Sequence, residues 1–355
     1  MNCVVEYTPL QEKALREIEN WFRSDSQYYV LAGYAGSGKS TIAREIRRRI
    51  SPCYFAAYTG KAAHVLREKG IQDASTIHGF LYNYTGKDEN GDPMFTVKSS
   101  SGLFGKELLI IDEYSMLNDD MIKDILSKCP KVLFIGDPMQ LPPVGQNHQS
   151  LTPDFFIDEI HRQSLDSPII KWAHRIRNGE VPDIGTNEIG FQVVSKNDVD
   201  ERLIDSVDLA IVGKNKTKIQ TNDAMRAFYK FSEVSKYPVV GDRMICTKNN
   251  HQENLYNGLM FTNTHPVKVQ GGSYYIFVDG KYRPAWSGDI MPTERKYDIR
   301  SRLERFEYAY ALTCHKTQGS EFGSVLVYNE SWGPNKINWL YTAVTRAKDT
   351  CILAL

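Results

Sequence analysis

The chain has 355 residues, of which 41% are hydrophobic and 24% charged, a composition typical of a globular protein with a sizeable core. Lysine plus arginine and aspartate plus glutamate both number 43, so the net charge is zero and any nucleic-acid site must be a local channel. The six scattered cysteines form no C-x-x-C pair, which argues against a zinc site or a disulfide framework. No apolar run has transmembrane length, so we expect a cytoplasmic protein without a membrane partner.

The first informative segment, residues 33–40, reads G-Y-A-G-S-G-K-S and matches the phosphate-binding P-loop pattern. An apolar run at 28–32 precedes it and a helix-like run at 41–46 follows, which is the context the motif requires. Backbone N–H groups of such a loop surround phosphate oxygens, Lys39 reaches the β and γ phosphates, and the Ser40 hydroxyl holds Mg²⁺. The nucleotide-binding residues predicted here are Gly33, Gly36, Ser37, Gly38, Lys39, Ser40 and Thr41.

A second element of a nucleotide site follows the apolar run at 108–111, which is typical of a central parallel strand. Asp112 and Glu113 come directly after it, at the strand end that faces the crevice of an open α/β sheet. Asp112 is predicted to bind Mg²⁺, and Glu113 to orient or deprotonate the attacking water. Alone this acidic pair is a weak signal; together with a P-loop it is a strong one.

A third strand is predicted at 132–135, followed by G-D-P-M-Q-L-P-P-V at 136–144. Its prolines and glycine predict a rigid loop, in which Gln140 could sense the γ phosphate. This loop, coming after D-E-Y-S at 112–115, resembles motif III of the superfamily 1 helicases.

Other segments of the first half resemble further motifs of that family in the family's order. Residues 8–11, T-P-L-Q, are similar to the Q motif, which implies that Gln11 reads the adenine of ATP. Residues 57–63 resemble motif Ia, and residues 75–78 resemble the next DNA-contacting segment. The resemblance implies DNA contacts by Thr59, Lys61, Thr76 and His78, although a lone histidine is more often structural.

The second half carries three more segments of this kind. Residues 159–163 resemble motif IV, which puts Arg162 at the γ phosphate, and residues 341–348 resemble motif VI, which makes Arg346 an arginine finger. The alternative for Arg346 is a surface salt bridge. With these two arginines, the predicted catalytic residues are Lys39, Glu113, Gln140, Arg162 and Arg346.

Residues 311–322 resemble motif V, a long and specific match. By this resemblance Thr313 and His315 contact DNA, and Glu321 contacts the ribose of ATP.

Two insertions refine the resemblance. Residues 83–101 hold an N-G-D-P turn between β-prone stretches, which predicts a hairpin. In helicases of the RecD and Dda type a hairpin here separates the duplex, so Phe95 would either stack on a base at the fork or pack the hairpin onto its own domain. Residues 241–305 contain short strand-like stretches and glycine turns, which suggest a small SH3-like β-barrel.

The predicted fold class is therefore α/β, with two RecA-like P-loop-type domains built of parallel sheets flanked by helices, plus a β-hairpin insertion and an SH3-like β insertion. Domain 1 is predicted to comprise residues 1–82 and 102–150, with the hairpin pin at 83–101. Domain 2 is predicted to comprise residues 151–240 and 306–355, with the SH3-like insertion at 241–305.

The small insertions and the H-K-T-Q-G-S-E-F block at 315–322 resemble the superfamily 1B helicases of the RecD/Dda type. This implies an ATP- and Mg²⁺-dependent DNA helicase that moves 5′→3′ on single-stranded DNA and unwinds forked duplex DNA in replication, recombination or repair. It also implies a monomer, single-strand-binding or replication proteins as partners, and the cytoplasm of a bacterium or phage-infected host. An RNA helicase of superfamily 1 would share the ATP-site motifs. A P-loop kinase or switch NTPase would have no use for motifs V and VI.

Overall fold

The structure is a computed structural model, and its chain divides into two compact units. The first unit comprises Met1–Gly86 and Met94–Lys171, and the second comprises Lys87–Pro93 and Trp172–Leu355. The residues that the structure describes are 7–87, 93–99, 107–143, 151–159, 166–250, 253, 255–270, 273–290 and 303–355.

A parallel sheet forms the centre of the first unit. Its strands are ordered β3-β2-β6-β7-β1-β8, and every pair in this sheet runs parallel. A separate two-stranded sheet joins β4 to β5. The strands are β1 (Tyr28–Gly33), β2 (Cys53–Ala57), β3 (Ser75–Thr76), β4 (Tyr82–Lys87), β5 (Pro93–Val97), β6 (Leu108–Asp112), β7 (Lys131–Gly136) and β8 (Phe155–Ile157).

Helices cover both faces of this sheet, as a parallel sheet with apolar side chains on both sides requires. In β6, Leu108 and Ile110 pack into a core with residues of α1 and α2, whereas Leu109 and Ile111 pack into a second core with residues of α4 and α5. The helices are α1 (Pro9–Arg23), α2 (Lys39–Arg49), α3 (Gly60–Glu68), α4 (Ile77–Leu81), α5 (Asp119–Lys128) and α6 (Pro168–Arg177), the last of which crosses the division between the units.

The second unit has its own sheet, ordered β18-β11-β19-β20-β10-β9, in which only the edge pair β9–β10 is antiparallel. Its strands are β9 (Asn187–Glu188), β10 (Phe191–Val194), β11 (Leu209–Val212), β18 (Ala311–Thr313), β19 (Phe322–Tyr328) and β20 (Ala347–Ala354). The accompanying helices are α7 (Glu201–Asp205), α8 (Asn215–Phe228), α9 (Phe231–Val234), α10 (Cys314–Thr317) and α11 (Lys336–Val344).

Between α9 and β18 the chain forms two small antiparallel sheets, ordered β13-β12-β17 and β14-β15-β16. Buried side chains of these sheets, such as Met244 and Tyr274, share one core with Ala210 and Leu326 of the larger sheet. The inserted segment is therefore packed onto the second unit. The strands are β12 (Arg243–Cys246), β13 (Met260–Thr262), β14 (Lys268–Gln270), β15 (Ser273–Val278), β16 (Lys281–Ala285) and β17 (Phe306–Tyr308).

Buried polar side chains of α8 fix the backbone before β18. The Asn222 amide donates to the carbonyl oxygens of Tyr308 (3.1 Å) and Ala311 (3.2 Å), and its oxygen accepts from the N–H groups of Tyr310 (3.0 Å) and Ala311 (2.9 Å). One turn later, the Arg226 Nε donates to the fully buried carboxylate of Asp242 at 3.1 Å. Buried polar groups satisfied in this way stabilise a single arrangement of helix and strand.

The predicted α/β class with parallel sheets flanked by helices is confirmed in both units. The domain boundaries stay a prediction; β8 (Phe155–Ile157), which follows the predicted boundary at 150, pairs with β1 in the first sheet. The pin and the SH3-like barrel also stay predictions, and residues 88–92, 100 and 101 of the predicted pin segment lie outside the described residues.

Candidate nucleotide and nucleic-acid sites

The P-loop connects the end of β1 to the start of α2, in the strand, loop and helix order that its sequence predicts. Gly38 precedes α2 with φ of 82°, a left-handed conformation that glycine adopts without strain. The Lys39 ammonium donates to the carbonyl oxygens of Gly33 and Tyr34, at 2.7 Å each. The Lys39 side chain therefore already lies inside the P-loop.

The other loop residues differ in their exposure. Ser37 is 2% exposed, and among the described residues its hydroxyl has no hydrogen-bond partner. Ser40 is exposed at the start of α2, and Thr41 behind it is half-buried. Gly36 is also left-handed, with φ of 79°. Because an unpaired buried hydroxyl is costly, Ser37 is a candidate to contact a ligand.

Gln11 is buried against the P-loop. Its Nε2 donates to the Ser37 carbonyl oxygen at 3.4 Å, and a Cβ at Gly38 would collide with its amide group. Gln11 also completes a capping box at the start of α1, in which its side chain accepts from the Thr8 N–H. The T-x-x-Q spacing of residues 8–11 is the sequence signal for that box, which the motif comparison alone does not reveal.

Asp112 lies at the carboxyl end of β6, half-buried, and accepts a hydrogen bond from the Glu113 N–H at 3.0 Å. Burial raises the pKa of the Asp112 carboxyl above its ordinary value, and the positive charge of Lys39 opposes this shift. The charge of Lys39 therefore favours the carboxylate form of Asp112.

Glu113 has a backbone conformation that no sequence signal predicted. Its φ of 59° and ψ of 48° place a non-glycine residue in the left-handed region, at the start of the 3₁₀ turn Tyr114–Met116. Such a conformation costs about 1–3 kcal/mol and is found preferentially at functional sites. This left-handed residue comes directly after Asp112, where β6 ends.

The loop after β7 carries a buried amide. Gln140 is 7% exposed, its N–H donates to the Asp137 carbonyl oxygen at 3.1 Å, and its Oε1 has no hydrogen-bond partner within the described part of the chain. Asp137 is fully buried and accepts from the Met139 N–H at 2.9 Å. The loop is therefore held rigidly while one acceptor of Gln140 stays available.

These groups lie at one edge of the sheet. The strands β6, β7 and β1 are neighbours, Asp112 lies opposite Ile135, and Gly136 lies opposite Ala32. Because all three strands are parallel, the P-loop, the Asp112 carboxylate and the Gln140 loop all leave from the carboxyl edge, where open α/β sheets bind their ligands.

The predicted DNA contacts of the first unit follow β2 and β3, at the same edge. Thr59 caps α3 by accepting from the Ala62 N–H at 3.1 Å, and Thr76 caps α4 by accepting from the Gly79 N–H at 3.0 Å. Lys61 is half-buried in the first turn of α3. Two helix N-termini with polar caps therefore lie side by side, which suits contacts with successive phosphates.

His78 and Phe95 belong to one aromatic cluster. The Phe95 ring centroid lies 5.5 Å from that of His78, 6.4 Å from Tyr82 and 6.0 Å from Tyr84, yet the side chain stays 44% exposed. Burial lowers the pKa of His78, which favours a neutral ring at pH 7. Phe95 thus both contacts its own unit and presents ring surface to solvent.

In the second unit, Thr313 ends β18, and His315 follows in α10 with a pKa lowered by burial. Thr313 lies opposite Val212 of β11, so its position in the sheet matches that of Thr76 in the first unit: both end the edge strand. Glu321 is exposed and pairs with Lys348 at 3.4 Å.

Arg346 is 5% exposed and surrounded by neutral acceptors. Its guanidinium donates to the carbonyl oxygens of Thr342 (3.1 Å) and Ser320 (3.1 Å) and to the Thr345 hydroxyl (3.4 Å). Within the described residues it has no carboxylate partner, so its charge is not compensated by a salt bridge. Arg162, the other predicted arginine, lies outside the described residues.

The described residues show neither a metal site made of protein ligands alone nor a membrane-spanning helix. No group of three or more His, Cys, Asp or Glu side chains there could hold a metal ion by itself. None of the helices found there combines the length and the apolar character that crossing a bilayer would need.

Two family models match the chain: one described as an AAA domain covers residues 6–192, and one described as a UvrD-like helicase C-terminal domain covers residues 308–354. The ATP-dependent RecD2 DNA helicase of Deinococcus radiodurans is 28% identical over 358 residues, which cover 90% of this chain and 46% of that protein. The ATP-dependent DNA helicase Pif1 of Bdellovibrio bacteriovorus is 24% identical, over 97% of this chain and 86% of that protein.

The crystal structure of Pif1 helicase from Bacteroides in complex with ADP-AlF3 and ssDNA matches with a TM-score of 0.59 at 20% identity, covering 98% of this chain and 93% of that one. This likeness concerns the fold, and it confirms the predicted pair of RecA-like domains. The chain spans about half the length of the Deinococcus relative. Because the AAA domain match includes more than half of its 355 residues, the chain belongs to the AAA domain family, and it is similar to the RecD2 and Pif1 helicases.

Proposed function

We propose that this protein is an ATP-dependent DNA helicase that moves 5′→3′ along single-stranded DNA and unwinds forked duplex DNA. The observation that carries the proposal is the joint presence, at one sheet edge, of a P-loop with its lysine in place, the Asp112 carboxylate and the buried Gln140 amide. The family match and the complex of the Bacteroides relative with a nucleotide and ssDNA support it.

In the nucleotide site, each residue has a role that its position supports. The Lys39 ammonium would exchange the Gly33 and Tyr34 carbonyl oxygens for the β and γ phosphates of ATP, which are stronger acceptors. Glu113 would orient the attacking water. Gln140 would accept from that water through its available Oε1, while its NH₂ group reports the presence of the γ phosphate.

The donor atoms fit Mg²⁺ as the accompanying ion. Ser40 offers an exposed hydroxyl and Asp112 a carboxylate, and Mg²⁺ is usually bound by one or two such oxygen ligands together with substrate phosphates and water. Its charge would stabilise the carboxylate form of Asp112, whose pKa burial otherwise raises. The ion would supply charge neutralisation on the phosphates.

Arg346 is proposed as the arginine finger of motif VI. A guanidinium held only by neutral oxygens keeps its full charge for a phosphate. The fixed contacts of Arg346 to Thr342 and Ser320 limit the conformational entropy that it loses when it binds one. Arg162 is proposed to act on the same γ phosphate. We further propose that Gln11 reads adenine and that Glu321 contacts the ribose, as the resemblance implies.

The strand would be held by phosphate contacts at the helix starts after β2, β3 and β18. The proposed contact residues are Thr59, Lys61, Thr76, His78, Phe95, Thr313 and His315. Apart from Phe95, which lies in β5, these residues lie at the carboxyl edge of the parallel sheet of their own unit, which supports strand contacts in each unit. Phosphate contacts of this kind bind without sequence preference and weaken as salt rises.

One experiment tests the function. ATP hydrolysis is measured with Mg²⁺ at low salt in the presence of oligo-dT, oligo-U or no nucleic acid, and unwinding is measured on duplexes with a 5′ or a 3′ single-stranded tail. We expect stimulation by oligo-dT and unwinding of the 5′-tailed duplex. Stimulation by oligo-U alone would identify an RNA helicase, and turnover that no nucleic acid changes would identify a P-loop kinase or switch NTPase. Unwinding of the 3′-tailed duplex alone would reverse the proposed polarity.

A further inference from the structure

The second unit contains a groove that the helicase motifs do not use. Its volume is about 460 Å³, and its lining includes Lys196, Lys214, Tyr328, Glu330, Ser331 and Trp332. We call it the Trp332 groove. It lies at the carboxyl edge of the sheet, because Val194 of β10 and Tyr328 of β19 both lie opposite Ala354 of β20. This edge is where α/β sheets bind ligands.

One side of the groove corresponds to the position of the P-loop in the first unit. Lys196 follows β10, which lies next to the edge strand β9 as β1 lies next to the edge strand β8. After β10, however, the chain reads S-K-N-D at 195–198 and forms a 3₁₀ turn instead of a glycine loop. A triphosphate would therefore lack the cradle of backbone N–H groups that it needs.

Trp332 is 78% exposed, the most exposed large aromatic side chain in the described residues. The loop that carries Trp332 is nevertheless fixed by the hydrogen bonds of Glu330. The Glu330 carboxylate accepts from the N–H groups of Gly213 (2.9 Å) and Lys214 (3.0 Å) and from the Thr217 hydroxyl (2.7 Å). The Ser331 N–H donates to the Asn329 side chain at 3.0 Å. The indole is thus presented on a fixed loop, which lowers the entropy cost of using it.

The charges in the groove favour an anionic ligand with an aromatic part. The Glu330 carboxylate is engaged by its backbone and hydroxyl donors and by the Lys214 ammonium at 3.8 Å. The Lys196 ammonium lies 5.6 Å from the centre of the Tyr328 ring. Two lysines and one carboxylate leave a positive excess beside an exposed indole, and interleaved cations and aromatic rings are how proteins bind single strands.

The groove also continues the proposed DNA contacts. Val212 of β11 lies opposite Thr313 of β18, and Ile211 lies opposite Val327 of β19, so Thr313, Val212 and Tyr328 are level across three neighbouring strands. With strands about 4.8 Å apart, the ends of β18 and β19 are about 10 Å from each other. We propose that the single-stranded DNA held at Thr313 extends past Lys214 into this groove, where one unpaired base stacks on Trp332 and Lys196 contacts a phosphate.

This inference rests on the proposed DNA-binding function, and one set of binding measurements separates the two. The affinity for fluorescein-labelled oligo-dT is measured by anisotropy, without nucleotide, for the wild type and for Trp332→Ala, Trp332→Phe and Ile189→Ala. Ile189 is 95% exposed in the same unit and controls for the loss of exposed apolar surface. We expect about 5-fold weaker binding or more for Trp332→Ala, near wild-type binding for Trp332→Phe, and no change for Ile189→Ala.

Lys196→Gln provides an independent readout. Because each neutralised phosphate of a single strand contributes about 0.7 to the slope of log affinity against log salt, we expect this slope to decrease by about that amount. Oligo-dT should quench the fluorescence of Trp332, and this quenching is measured as the difference between the wild type and Trp332→Phe. Unlabelled dTMP and ATP are then added as competitors, and we expect the quenching to persist in their presence.

Three outcomes would overturn the inference. If the wild type binds oligo-dT and Trp332→Ala binds within 2-fold of it, Trp332 makes no contact and only this inference fails. If dTMP abolishes the quenching at concentrations comparable to oligo-dT, the groove is a mononucleotide site. If the wild type does not bind oligo-dT at all, the inference fails together with the proposed function.

Discussion

The ammonium group of Lys39 donates a hydrogen bond of 2.7 Å to the carbonyl oxygen of Gly33, the first residue of its own P-loop. The loop is therefore closed on its lysine by acceptors that are weaker than phosphate oxygens. If ATP binds as proposed, it needs to replace only these two carbonyl contacts, because the lysine side chain already lies in the loop.

Replacing Lys39 by alanine is expected to lower the ATP turnover number about 10²-fold or more, because a donor that stabilises developing charge is lost. Steady-state hydrolysis with oligo-dT measures this. Lys13→Ala, on the exposed surface of α1, serves as the control and should leave turnover unchanged. Wild-type turnover in Lys39→Ala would contradict the assignment of the P-loop.

For Arg346→Ala we expect the turnover number to fall by about 10³–10⁵-fold while ATP affinity changes little, since arginine fingers act on the transition state. Fluorescent-nucleotide binding and hydrolysis are measured on the same preparation. Arg202→Ala, exposed in α7, controls for the loss of a positive charge. Because Arg346 is buried, Arg346→Lys and a thermal melt of each variant distinguish lost chemistry from lost folding. A collapse of affinity with normal turnover would make Arg346 a binding residue.

Phe95→Ala is expected to retain DNA-stimulated ATP hydrolysis and to lose most unwinding activity, because a base–ring stack of about 1–3 kcal/mol would be missing at the fork. Met94→Ala is a matched control: Met94 is the neighbouring residue and is also 44% exposed. Equal losses of both activities in Phe95→Ala would show instead that its contacts with His78, Tyr82 and Tyr84 serve the packing of the first unit.

The stability of the first unit should depend on pH through Glu45. Hydrogen bonds from Arg48, and then from Arg49 and Tyr7, lower the pKa of Glu45 to about 2, although burial opposes the shift. A carboxylate whose pKa is lower in the folded state stabilises that state fully at pH values above its unfolded pKa of about 4.3. This contribution is lost as the pH falls toward 2.

Glu45→Gln should therefore lower the free energy of unfolding at pH 7 by about 1–2 kcal/mol, a value reduced for the solvent screening around the exposed Arg48. Urea unfolding at pH 7, 5, 4 and 3 measures the free energy of unfolding of Glu45→Gln and of the wild type. The difference between these two free energies should become smaller below pH 4.5. Glu68→Gln, on exposed helix surface, should show a much smaller difference. A difference that stays constant from pH 7 to pH 3 would contradict the role of the Glu45 charge.

Local signals explain which parts were predictable. The P-loop, the strand before it and the helix after it depend on residues adjacent in sequence, so the pattern at 28–46 predicts the observed β1, loop and α2. The helix start at Thr59 and the strand end at Asp112 depend on equally short signals. The motif resemblance then joined these pieces into two RecA-like domains.

Long-range contacts explain what was not predictable. The Glu330 carboxylate binds the N–H of Gly213, 117 positions earlier, and Asn222 binds the backbone of Ala311, 89 positions later. No local pattern indicates such partners. The left-handed Glu113 is equally unpredictable, because a glutamate in that conformation is held by its surroundings and not by its own preference.

The four hydrogen bonds of Asn222 have a mechanical consequence. Since one side chain of α8 binds the backbone of Tyr310 and Ala311, the strand end at Thr313 cannot slide along α8 without breaking all of them. Lys214 at the start of α8 and Thr313 at the end of β18 should then move together as one rigid body. A force applied at one of these two contact points should therefore reach the other without being absorbed by relative movement of α8 and β18.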